Sequence, residues 1–202
     1  MFSPLKHLRE SGEAFAANWM LGLLAGLLGT IPVAGTIVLT SWQGIVGRSA
    51  GQGESAELAH LLDTTQALER AQPGFGVLVA AALVSALASF LGVVGLVVAL
   101  GSSVGLFFIC GACGFATGIM ADRPTLSFLS AIQTVGAFSK QHPAEMFKLL
   151  TVCGGVAALG SVACGVGLLV SVPVAAGALY LAGREVNVEL ETTAAAAGIE
   201  LR

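Results

Sequence analysis

At 202 residues, 55 % of them hydrophobic and only 10 % charged, the chain lacks the polar surface of a water-soluble domain, which usually carries about 25 % charge. Its net charge of -3 gives no electrostatic footprint for nucleic acid, so none is expected as a partner. The length suits one membrane domain over residues 1–185 followed by a polar, acidic tail over 186–202.

The first thirteen residues carry Lys6, His7, Arg9, Glu10 and Glu13, with Phe2, Leu5 and Leu8 at helical spacing. This pattern predicts an interfacial helix over 2–12. Glu10 and Glu13 precede the first apolar run, and no small-x-small cleavage site with a polar region follows it. The first apolar segment is therefore expected to stay in the mature protein.

Ala14 to Gly47 is free of charge and is interrupted by Pro32, which predicts a first hairpin over 14–47 with Ile31-Pro32 at its tip. Its two arms are slightly short for a hydrocarbon core of ~30 Å, which needs ~20 helical residues. Trp42 and Gln43, close to Arg48, are expected at the headgroup level. The polar stretch that follows predicts an amphipathic interfacial helix over 55–70, with Ser55 as its N-cap and Leu58, Leu61, Leu62 and Leu68 on one face.

Ala71 to Ala121 contains no Asp, Glu, Lys or Arg in 51 residues, enough to cross a bilayer twice. It predicts a central hairpin over 71–121, turning at Gly101, and is expected to form the core of the bundle. Pro124 and the spacing of Phe128, Ile132, Val135 and Phe138 predict a further interfacial helix over 124–139. The third charge-free run, Leu149 to Gly183, predicts a hairpin over 146–183 that turns near Gly165 and is kinked by Pro173. The expected fold is thus all-α: a polytopic membrane bundle of about six short transmembrane helices in three hairpins, with amphipathic helices between them. The three hairpins end similarly, at Gly47-Arg48, Gly118 to Arg123 and Gly183-Arg184, which is compatible with internal repetition.

All nine Lys and Arg fall in the termini and the two long connections, so Arg48, Arg123, Lys148 and Arg184 mark one membrane boundary. The positive-inside rule makes that face cytoplasmic and predicts both termini on it.

No Asp, Glu, His, Lys or Arg falls within the charge-free runs of the predicted spans, Lys148 being placed at the headgroups, which argues against a proton relay, a metal hydrolase or a carrier of charged solutes. No enzyme activity, metal or cofactor is expected. Cys110 and Cys113 form a CxxC, but it lies within an apolar run without further ligands at metal spacing and is read as packing, as are Cys153 and Cys164. His7, His60 and His142 lie in separate polar segments and are read as solvated or interfacial. Small residues four apart, Gly22 with Gly26, Ser85 with Ser89 on the helix that carries Gly92, and Gly114 with Gly118, predict close helix approach.

The stretches IPVAGTIVLTSWQGIVGRSAGQG and GVGLLVSVPVAAGALYLAGREV, together with Asp122, Ser127 and Ala131, give the chain a likeness to a family. It resembles bacterial membrane proteins of the DUF4013 and DUF975 type, related to the membrane domain attached to some glycerophosphodiester phosphodiesterases. The resemblance implies a helical bundle in the bacterial inner membrane; the chain has no phosphodiesterase catalytic domain, so no activity carries over. The role expected from the residues is a scaffold or accessory subunit, contacting lipid and either other membrane subunits or further copies of itself. The alternatives are a transporter or channel for a neutral or lipidic molecule and a membrane-shaping hairpin protein.

Overall fold

The computed structural model describes residues 3–29, 32–52, 56–62, 108–121, 123, 125–162, 167–186, 189 and 196. Ser85, Ser89, Gly92, Gly101 and Gly165, with most of the expected central hairpin, lie outside the described residues. All regular structure among the described residues is helical, as the composition predicts.

Helix α1 spans Pro4–Ala17, with Pro4 at the first position, where its missing N–H costs nothing. The chain leaves the helical region at Asn18, with φ −123° and ψ 39°. Helix α2, Trp19–Gly29, then packs on α3, Pro32–Gln52. Pro32 opens α3, as expected for a residue at a hairpin tip. The break at Asn18 divides the first expected span, and the 11 residues of α2 reach only about 16 Å. A short helix α4, Leu58–Leu62, follows.

Helix α5 covers Phe108–Ala121. Helix α6, Phe128–Gln141, is capped by Ser127, whose hydroxyl accepts from the Ser130 N–H at 3.2 Å. Its Ala131, Thr134, Val135 and Phe138 are buried, while Leu129 and Lys140 face outward. Helices α7, Pro143–Val162, and α8, Leu168–Glu185, form an antiparallel pair, since Ala157 meets Ser171 and Gly160 meets Gly167. Among the described residues, α8 is the one helix long and apolar enough to cross a membrane. It passes through Pro173 without ending.

The hub of the described structure is α8, which touches α1, α2, α3, α5 and α7. Both α3 and α5 run in the same sense as α8: Trp42, Gln43 and Gly47 meet Pro173, Ala176 and Tyr180 in turn, and Gly114 and Gly118 meet Leu179 and Gly183. The second helices of the expected hairpins therefore lie side by side with their C-terminal ends together. Arg48, Arg123 and Arg184 share that end of the bundle, where cations complement the negative ends of the helix dipoles. The Arg184 guanidinium donates to the Gly47 carbonyl at 3.3 Å.

Candidate functional site

Side chains of Ser11, Trp42 and Gln43 converge on the backbone of α8 around Pro173. Proline has no N–H, so the Leu169 carbonyl four residues earlier lacks its helical donor. Gly26 of α2 lies against that carbonyl: a Cβ there would stand 2.6 Å from Leu169 Cα and closer still to the oxygen. The glycine lets a Cα–H approach the freed acceptor, a weak but favourable contact. One turn on, the Trp42 indole donates to the Pro173 carbonyl at 2.9 Å. Ser11 of α1 donates to Val174 at 2.8 Å, and Gln43 to Ala176 at 3.2 Å. Across the bundle, Thr117 of α5 donates to Gln43 Oε1 at 3.0 Å, so one amide joins α3, α5 and α8.

Trp42 is 0 % exposed and Gln43 6 %, because α3 turns this face onto α8, so both expected headgroup-level side chains point into the bundle and not outward. Such interhelical bonds contribute about 1 kcal/mol or less each, and here they accompany packing by Phe15, whose ring meets that of Trp42 edge-on at 5.9 Å.

The glycines predicted to pack do meet neighbours. Gly22 faces the Phe15 ring, Gly26 the Leu169 backbone, and Gly114 makes ordinary contacts with Gln43 and Leu179. Gly118 and Gly183 form a reciprocal crossing: a Cβ on Gly118 would collide with the Tyr180 carbonyl, and one on Gly183 with the Phe115 carbonyl. Gly47 against the Tyr180 ring, Gly177 against Ser11 and Gly160 against Gly167 and Ser171 do similar work and were not singled out by four-residue spacing. Their signal is the presence of glycine within a helix, where it costs roughly 1 kcal/mol relative to alanine and needs a packing reason.

His7 departs from the solvated reading. Its side chain is 1 % exposed at the α1–α8 contact, with Nε2 3.2 Å from Glu185 Oε2 and Nδ1 3.5 Å from Glu10 Oε2. Burial pushes the imidazole below its ordinary range, against the pull of the Glu185 and Glu10 carboxylates. His142 is partly exposed, 3.4 Å from Glu189, and lies on the Phe138 ring; His60 is exposed and accepts from the Glu57 N–H. Cys110, Cys113 and Cys153 are free thiols, with Cys153 in the core beside Leu149 and Leu150. The described residues contain no group of three His, Cys, Asp or Glu arranged to hold a metal.

The chain matches no known protein family, and no curated protein or solved structure is significantly similar to it.

Proposed function

We propose that this chain is an integral membrane bundle of about six short spans in three hairpins, acting as a non-enzymatic scaffold or accessory subunit of a larger membrane assembly. The observation that carries the reading is a set of large apolar side chains on the outside of the bundle. Trp19, Met20 and Leu27 on α2, Ile109 on α5, Phe147 and Leu159 on α7 and Val170 on α8 point outward, with Leu159 70 % exposed. Inside, among the apolar core residues, lie the polar Asn18, Ser41, Gln43, Thr117, Thr134 and Ser171. In water the exposed surface would cost about 25 cal/mol per Å², whereas lipid accepts it freely; polar side chains and glycines inside are what lipid-embedded helices use to associate.

A scaffold is favoured over a solute carrier because Ser11, Trp42, Gln43 and Thr117, the polar groups at the Pro173 break, are spent on helix carbonyls and on one another. The shared end of α3, α5 and α8 with its arginines supports a cytoplasmic placement of that end, and with it both termini, in a bacterial inner membrane. The outer face of α6 is then open to headgroups or to a partner subunit. Purification of the full chain in mild detergent, with crosslinking before solubilisation, tests the role. A complex containing a second subunit or further copies is expected; a strictly monomeric protein without a crosslinked partner would overturn it.

A further inference from the structure

The N-terminal helix is fastened to the bundle by a small titratable cluster as well as by apolar contact. It is joined to α2 through the non-helical Asn18, so a natural break separates it from the rest of the chain. On α8 it is held by the Ser11 bond to Val174 and by the Lys6 ion pair with Glu185 at 2.8 Å. Between these anchors sits the buried His7, in contact with Glu185 on α8 and Glu10 on its own helix. The neighbouring Leu8 packs on the core, while Leu5 and the Arg9–Glu13 pair stay outside.

We infer that α1 is a proton-loosened clasp, docked on α8 at neutral pH and more readily undocked at mildly acidic pH when His7 takes up a proton, which exposes its apolar residues to the membrane interface. Among the described residues, the charged groups that act on the ring include Lys6 and Glu10 from α1 and Glu185 from α8. Helix α2 has no ionisable residue, and Arg48 of α3 and Glu145 and Lys148 of α7 are not among the groups that influence it. The two carboxylates favour the imidazolium, but burial outweighs them and Lys6 adds to it, so the docked ring binds a proton less readily than a free one. The detached helix therefore binds more protons. Docking is strongest above the free value of about 6.5 and weakens as the pH falls from there to the docked value.

Hydrogen–deuterium exchange on the full chain in lipid nanodiscs at about pH 7.5 and about pH 5.5, corrected for the intrinsic chemical rate, tests the clasp. Amides of α1 are expected to lose protection in acid, by up to about tenfold in all because pH 5.5 lies about one unit below the free histidine value, while α5 keeps its protection. In His7→Gln the protection of α1 should no longer depend on pH over that range. Unchanged or increased protection of wild-type α1 at the lower pH would overturn the inference. If His7→Gln fails to fold, seen as lost protection in α5, the ring titration of the wild-type chain by NMR decides: a His7 value below the free one supports the clasp, and a value above it refutes it. The measurement needs no partner, so it stands or falls apart from the scaffold reading.

Discussion

Gly118→Ala should destabilise the bundle relative to Gly155→Ala, although the two changes are chemically identical. Both put alanine for glycine in a helix and gain roughly 1 kcal/mol of helix propensity. At Gly155 of α7 nothing lies within 4 Å of the new methyl, so the gain is kept. At Gly118 the methyl would stand 3.0 Å from Gly183 Cα and closer to the Tyr180 oxygen, and these are backbone atoms that cannot rotate away. Ordinary contact begins near 3.4 Å, so α5 must move off α8 by about an ångström to clear the Tyr180 oxygen, which stretches the Thr117–Gln43 bond of 3.0 Å in the same layer. Overpacking of this kind costs about 1–3 kcal/mol, and because propensity cancels between the variants, their difference should have that size. Reversible unfolding in mixed micelles with increasing SDS, followed by tryptophan fluorescence, measures it. Equal stability of the two variants, or a more stable Gly118→Ala, would refute the crossing as described.

Three further outcomes follow from the same geometry. Trp42→Phe removes the donor to the Pro173 carbonyl and opens space in the core, and should lower stability by about 1–3 kcal/mol in the same assay. Thr117→Val should cost more than Gln43→Leu: the first strands the buried Gln43 oxygen, whereas in the second the Thr117 hydroxyl keeps the Cys113 and Gly114 carbonyls as acceptors at 3.0 and 2.8 Å. Asn18→Ala removes the side chain that donates to Ser49 and accepts from the Ala56 N–H, so residues 56–62 should exchange hydrogen faster while α8 keeps its protection.

Charge-free runs and turn residues made the helical class legible, along with the break at Pro32 between two helices and the pairing of α7 with α8. The partners of each face were not legible. A stripe of Leu5, Leu8 and small residues looks the same whether it meets lipid or another helix, and the structure puts Leu8 and His7 against the bundle. Trp42 beside an arginine fits an aromatic belt by composition, yet within the bundle its indole turns inward and donates to the Pro173 carbonyl, on a helix 131 residues away in sequence. Glycine spacing revealed Gly118 because a partner stood four residues away. Gly183 looked like part of a membrane boundary because its partner is on another helix. Among the described residues the organising helix is α8; most of the longest charge-free run lies outside them.

The account depends most on lipid surrounding the outward faces of α2, α5 and α7. A lipid-soluble, carbon–hydrogen-inserting photolabel in a bilayer reconstituted with the full chain, mapped by peptide mass spectrometry, reads this directly. Labels are expected on Leu27, Ile109, Phe147 and Leu159 and absent from Trp42 and Phe115, which are fully buried. No label on those exposed side chains, or equal labelling of the buried aromatics, would contradict it.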